Sequence, residues 1–271
     1  MPGDRWVVGV GLDNPVRDVC LSELTFLERI FRELERRVPP PIEHSVNGKL
    51  ALRYKEQSPH QAILLKFARQ ISGLHAIDVL LLNGFVQEQG VIQRTLDEVA
   101  EDILFLAAGV ITENWSDLHK QFCSYFWEEE FEHPDAMKSR QKRGTVARNK
   151  IRAFNNRAFQ ISDPSTADRA GESIHKAYSG YVHAAAGHIM DMCGGEPLRF
   201  YLSGMRGTYR QREHAADAVT YFYRGLMSAG FAARAFGNEA LALATHRRVR
   251  DFENAHGEHV LPDWARAKGS Q

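Results

Sequence analysis

The sequence predicts an all-α protein, a multi-helix bundle. Apolar residues recur at three- and four-residue spacing along most of the chain, and proline and glycine pairs interrupt these runs at helix-length intervals. Sustained two-residue alternation is almost absent. At 271 residues, 44% hydrophobic and 25% charged, the chain can bury a substantial core and has an ordinary globular composition.

Residues 1–13 are glycine-punctuated. Gly9-Val10-Gly11 has no third glycine in register, so the segment reads as an arm or short strand rather than a phosphate loop. Asn14-Pro15 opens a helix carrying Leu24, Leu27, Phe31 and Leu34, and Pro39-Pro40-Pro41 ends it. Residues 42–57 read as a polar connection. Ser58-Pro59-His60-Gln61 is a capping box with proline in the first turn. The helix behind it runs through Leu82 to a break at Asn83-Gly84.

A further helix spans about 86–111, with Arg94, Asp97, Glu98, Glu101 and Asp102 beside an apolar stripe, and another spans 114–131. The acidic run Glu128 to Asp135 gives way to 136–162, which holds no acid. Asp163-Pro164 caps a helix read as continuous to Cys193, stopped by Gly194-Gly195. A loop or short hairpin covers 197–207, and two helices cover 208–236 and 238–255, the first rich in small residues suited to close packing. The organisation is an N-terminal arm and helix (1–57), a helical core (58–255) and a polar tail (256–271).

Lys plus Arg and Asp plus Glu both total 34, so no global charge argues for nucleic acid or membrane. The longest uncharged apolar run, 103–111, falls far short of the roughly 20 residues needed to span a bilayer. The N-terminus lacks a signal-peptide pattern, and three dispersed cysteines form no disulfide framework. The expected setting is cytoplasmic, without a membrane partner.

Four constellations can carry chemistry. Lys138, Arg140, Lys142, Arg143, Arg148, Lys150, Arg152 and Arg157 form an acid-free basic stretch suited to a phosphate backbone, unless the preceding acids balance it. Arg94 and Glu98 lie one turn apart and can pair, as an exposed ion pair or as part of a site. Glu172-Ser173-Ile174-His175 is an E-x-x-H unit, of which dimetal bundles need two good copies; the other, Glu130 to His133, abuts Pro134. A metal-dependent enzyme would draw on Glu98, Asp102, Glu172 and His183. No metal or other cofactor is expected.

Arg169 and His175 fit the R-x₄₋₆-H pattern of the HEPN helical nucleases, in which imidazole acts as acid or base at the 2′-hydroxyl and guanidinium offsets phosphate charge. Arg37/His44, Arg53/His60, Arg69/His75 and Arg250/His256 satisfy the same pattern, so it is selective only by context. On a helical wheel Glu172, His175, Lys176, Ser179 and His183 share one polar face, opposite Ile174, Tyr178, Tyr181 and Ile189. His188 falls on the apolar side.

Val91 to Glu98 resembles the R-x-x-x-E helix of a widespread group of prokaryotic helical proteins catalogued as a domain of unknown function. Tyr178-Ser179-Gly180-Tyr181-Val182-His183 resembles that group's second hallmark. The resemblance spans about residues 60–235 and implies a distantly HEPN-like core with Arg94, Glu98 and His183 close together at its centre. The expected function is RNA binding or metal-independent RNA cleavage in a stress or defence setting. His183, His175, Arg169, Arg94 and Glu98 are the candidate catalytic residues, and Arg140, Lys142, Arg143, Arg148, Lys150 and Arg152 the candidate RNA contacts. A non-catalytic interaction module and a carboxylate–histidine metal enzyme are the alternatives, and a homodimer or another protein partner stays open.

Overall fold

In the computed structural model, which describes residues 15–160 and 163–260, the chain folds as an all-α bundle with two small hairpins. The glycine-punctuated N-terminus and the end of the polar tail lie outside the described residues. Helix α1 (Pro15–Glu35) buries Leu24, Leu27, Ile30 and Leu34 along one stripe. That stripe belongs to the same core as the rest of the bundle.

The connection at 42–57 is not a plain loop. It holds an antiparallel hairpin, β1 (Ile42–Val46) and β2 (Lys49–Arg53), turned by Asn47-Gly48 with φ of 52° and 77°. Two positive φ values are what a type I′ hairpin turn demands, and Asn-Gly is the pair that meets them at least cost. The flanking strands are only five residues each and largely exposed, Leu50 and Leu52 included, so neither shows a buried face. Arg53 and Asn47 tie the hairpin to the segment after α4, through Glu129 and the Phe131 carbonyl.

Helix α2 (Pro59–Asn83) starts at the Ser58/Gln61 capping box, with both reciprocal bonds made, and ends at Gly84 in the left-handed region. Helix α3 (Val86–Ile111) has the expected bounds and is the hub, packing against α2 and three later helices. The helix expected over 114–131 is shorter, α4 (Asp117–Trp127), because Glu128 turns extended. Its buried His119 stacks on Phe105 and lies 3.1 Å from that residue's carbonyl. After a 3₁₀ turn at Ala136–Lys138, α5 (Arg148–Ala158) lays Ile151 and Phe154 onto the core.

Helix α6 (Pro164–Val182) departs from expectation. Asp163 caps it as read, but it stops at Val182 instead of continuing to Cys193. His183 is the C-cap, Ala184 has φ of 50°, and the chain restarts as α7 (Ala186–Met190). The cause is tertiary. His188 folds back beneath the end of α6, its Nε2 3.0 Å from the Ala177 carbonyl, and its ring occupies the space a Cβ on Gly180 would need. The hairpin β3 (Cys193–Gly194) and β4 (Arg199–Phe200) follows. Two long helices close the fold, α8 (Tyr209–Ala235) and α9 (Glu239–Val260), the latter kinked at His256. Small residues Gly225, Ala229, Ala232 and Ala233 on α8 are half-buried or better, as close helix packing requires. Among the described residues no helix is long and apolar enough to cross a membrane.

Gly84 joins two halves of the bundle. Its φ is 74°, its carbonyl accepts from Met205 N–H at 2.8 Å, and an added Cβ would sit 2.5 Å from the Arg206 nitrogen. Gly84→Ala therefore combines αL strain with a backbone clash, and is expected to lower stability by ~2–4 kcal/mol. Urea unfolding reads this as a lower midpoint at unchanged slope. An unchanged midpoint would show that the α2–α8 connection bears no such constraint.

Candidate functional site

The site grows from a conflict within α3. Its inner face carries the hub's apolar contacts, yet Arg94, Asp97, Glu98, Glu101 and Asp102 stand on it within about two and a half turns. Asp97 and Asp102 are buried, at 8% and 3% exposure. A buried carboxylate without a partner is too costly to keep, so α2, α5 and α8 each bring a cation. Arg224 of α8 pairs with Asp97, which also accepts from the Tyr221 hydroxyl at 3.2 Å. Lys66 of α2 reaches Asp102 at 2.8 Å, and Arg148 of α5 binds its other oxygen. Arg148 and Arg152 both lie 3.4 Å from Glu101, and Arg148 also donates to the Glu98 carbonyl at 3.1 Å.

Burial pushes the Asp97 and Glu101 carboxyls above their ordinary range, against the opposing pull of Arg224 and Tyr221 on the first and of Arg152 and Arg148 on the second. At Glu98 burial acts in the same upward direction, but the Arg94 hydrogen bond and charge outweigh it and hold this carboxyl low.

At the open end of this network α6 contributes His175. Arg94 donates to Glu98 at 2.8 Å and also contacts the His175 Nε2, which lies 3.9 Å from the same carboxylate. Burial and then the Arg94 charge push the imidazole below its ordinary value, so it is neutral at pH 7. With Arg94 donating to Nε2, the ring proton belongs on Nδ1. Arg94, Asp97, Glu98, Glu101, Arg152, Asn155, His175 and Arg224 line a pocket of about 260 Å³ between α3, α5, α6 and α8. Within it, buried Asn155 Oδ1 and Arg152 Nε make no hydrogen bond to protein. Three guanidiniums, three carboxylates and one neutral imidazole therefore meet in one half-open cleft.

Of the candidate catalytic residues, the structure brings together Arg94, Glu98 and His175. It does not bring His183. That residue is exposed at the C-cap of α6, eight positions past His175 and so roughly 12 Å further along the helix axis. The implied Arg94–Glu98–His183 cluster is replaced by Arg94–Glu98–His175. Arg169 is also elsewhere, exposed in the first turns of α6 and donating to Thr166 at 3.1 Å. The single polar face drawn on the wheel divides: Glu172, Lys176 and His183 face outward, while His175 turns into the cleft between Ile174 and Tyr178.

The basic stretch divides as well. Lys138 and Arg143 pair with Asp135 and Glu130 at 3.6 and 3.4 Å, so the acidic run balances part of it. Glu132 meanwhile accepts from the Ser139 hydroxyl and then the Arg140 N–H, which hold its carboxyl down at about 2. Arg148 and Arg152 point inward to α3 and are not surface contacts. Arg140, Lys142 and Lys150 are exposed and make no ion pair among the described residues. Glu98, Asp102, Glu172 and His183 do not converge: Asp102 is held by Lys66 and Arg148, and Glu172 and His183 face solvent. Among the described residues no three His, Cys, Asp or Glu side chains are grouped to hold a metal ion.

Arg224 and Tyr221 were not foreseen as site residues. The available cue was one cation embedded among Phe222, Gly225, Leu226 and Ala229, an apolar face where an arginine needs an acidic partner. Comparisons of the chain with protein-family models, with curated proteins and with solved structures returned no match.

Asp102→Ala leaves Lys66 and Arg148, both mostly buried, without their shared anion, and is expected to destabilise by about 3–5 kcal/mol in chemical unfolding. Asp117→Ala, which removes only the exposed pairing with Lys120, should leave the unfolding midpoint where it is. If both behave alike, the α3 network does not hold the bundle.

His175 provides a pH reading. Its folded value lies below the unfolded one, so on acidification the unfolded chain takes up the proton first and this residue withdraws stability as pH falls through about 6.5. NMR titration should place His175 below free histidine, and Arg94→Met should move it upward. A titration that is unchanged in Arg94→Met would refute the contact between the two side chains.

Proposed function

We propose that the chain is a distantly HEPN-like protein that binds RNA at the α3–α5–α6–α8 cleft and cleaves it without metal, with His175 as the acid–base group. The observation that carries this reading is the neutral His175 imidazole held against the Arg94 guanidinium at the mouth of a cleft that also holds Arg152 and Arg224. An imidazole held neutral beside cations fits the uptake of a proton from a 2′-hydroxyl as it attacks its own phosphodiester. Arg94 transfers its donor from the imidazole to a phosphate oxygen, which frees Nε2. His175 then takes the 2′-hydroxyl proton as the 2′-oxygen bonds to phosphorus and the bond to the 5′-oxygen breaks, that oxygen collecting a proton from solvent. The products are a 2′,3′-cyclic phosphate and a 5′-hydroxyl end. The exposed Arg140, Lys142 and Lys150 supply attraction to the strand.

A second reading rests on a different observation: every guanidinium in the cleft already has a carboxylate partner. On that reading the chain is a non-catalytic interaction module, and the network only fixes helix register.

One experiment separates them. Purified protein is incubated with single-stranded RNA in chelator, and product ends are analysed. The RNA reading expects cyclic-phosphate ends, a loss of at least about 100-fold in rate in His175→Ala and Arg94→Gln, and unchanged activity in His183→Ala. No cleavage and no salt-dependent RNA binding by the wild type would leave the interaction module. Activity that disappears in His183→Ala but persists in His175→Ala would move the site away from the cleft.

A further inference from the structure

Another cavity, of about 480 Å³, lies where the β1–β2 hairpin meets the C-terminal end of α4, and it shares no lining residue with the cleft. Tyr54, Phe126 and Trp127 line it with aromatic rings, and Pro41, Leu52 and Leu65 with aliphatic surface. The rings are crossed. Tyr54 and Trp127 meet at 79° with centroids 6.5 Å apart, and Phe126 and Trp127 at 68° with centroids 4.9 Å apart. Nearly perpendicular rings form the corner of a box rather than a stack.

The hairpin is clamped in this position. Arg53 binds Glu129 through two nitrogens, one of them at 2.8 Å, and Asn47 donates to the Phe131 carbonyl at 2.7 Å. The clamp brings Tyr54 beside Trp127, and it uses one carboxylate. Three carboxylates line the cavity against two guanidiniums: Glu129 is matched by Arg53, and Glu130 by Arg143 at 3.4 Å. Glu128 is left over. It is half-buried and makes no ion pair among the described residues. Lys66 lies 5.0 Å from the Phe126 centroid, but its charge is committed to Asp102 at 2.8 Å. Glu128 is also the C-cap of α4, whose last turn holds no basic residue, so the negative end of the helix dipole adds to the unmatched charge.

We propose that this cavity binds an alkylated ammonium group, of which a trimethylammonium head is the simplest case. Aromatic faces attract a cation through the ring quadrupole, Glu128 attracts it by charge, and both attractions strengthen as the cavity excludes water. An unsubstituted ammonium or a guanidinium has to exchange its water for several acceptors, and Glu128 is the one lining carboxylate without a cation. Methyl groups on the nitrogen remove those donors and match the rings and leucines instead. An anion meets the surplus negative charge, and a neutral apolar molecule leaves the half-buried Glu128 unmatched.

Calorimetric titration of the full chain with choline, followed in parallel by tryptophan fluorescence, tests the site. The control for shape is 3,3-dimethylbutan-1-ol, the uncharged carbon isostere of choline. Choline is expected to bind at one site with a Kd of about 1 mM or tighter, and the isostere at least about tenfold more weakly. Tyr54→Phe keeps the ring and should bind as the wild type does, whereas Tyr54→Leu should lose about tenfold in affinity. Glu128→Gln should lose about as much while leaving the thermal midpoint unchanged, because no ion pair is broken in the folded chain. The amide of acetylated trimethyllysine carries the same head on a protein-like stem. Tighter binding than choline assigns the site to a modified lysine side chain, and weaker binding to a free small cation. No response to either cation at about 10 mM, equal binding of the isostere, or choline binding indifferent to both Glu128→Gln and Tyr54→Leu would overturn the proposal.

Discussion

Burying carboxylates on the central helix is the constraint on which the rest of this fold depends. A hub helix that packs against α2, α5, α6 and α8 has little room for solvent, yet α3 carries Asp97 and Asp102 at near-complete burial. Each must find a positive partner in place, and no two partners come from neighbouring positions: Lys66 from α2, Arg148 from α5, Arg224 from α8. Apolar contacts alone tolerate sliding by a turn. A charged pair does not, because a shift of one turn, about 5.4 Å, leaves both ions buried and unmatched. The polar network therefore sets the register in which the apolar stripes of α1, α2 and α8 meet.

The same constraint creates the cleft. Where α6 approaches α3 the matching cation is Arg94, from α3 itself, and its acid Glu98 is only half-buried. That leaves the guanidinium with donors to spare, and His175 takes one of them as a neutral acceptor. The result is the one part of the network in which a neutral titratable group, rather than a second ion, completes the set. On the opposite wall Asn155 Oδ1 accepts no hydrogen bond, and Arg152 Nε meets Glu101 only at ion-pair distance, 3.4 Å.

Much of this was legible in the sequence, and the failures have physical causes. Helix α3 could be bounded to the residue because its stripe is long and its ends lie near Asn83-Gly84 and Thr112. The capping box of α2, the Asp163 cap of α6 and the proline starts of both were equally plain. The β1–β2 hairpin was signalled chiefly by Asn47-Gly48, since two five-residue strands that bury neither face are too short to stand out by alternation. The break after Val182 was invisible locally: Ala184, Ala185 and Ala186 favour a continuing helix, and the fold ends it because His188 packs under Gly180. That break also displaced the expected site. Motif resemblance pointed to His183, but only the packing of α6 on α3 decides which imidazole meets Arg94. The residues that neutralise α3 from afar, Lys66 and Arg224, could not be paired from spacing, because their partners lie 36 and 127 positions away.

Charge balance also decides how a ligand would be recognised. With Arg94, Arg152 and Arg224 matched by Glu98, Glu101 and Asp97, the cleft exerts little field beyond itself, and at physiological salt charges are screened within about 8 Å. Long-range attraction must come from Arg140, Lys142 and Lys150 on the outer surface, whose cations are uncompensated among the described residues. Inside, an anion gains only by exchanging with a carboxylate. Glu98 is the one such group that is both accessible and bound to a guanidinium already shared with another side chain. Exchange there costs one half-buried ion pair, whereas exchange at Asp97 would strand a buried one. On the proposed reading, a phosphate would be directed to the Arg94–Glu98 end of the cleft, beside the imidazole and away from the ions that hold the bundle together.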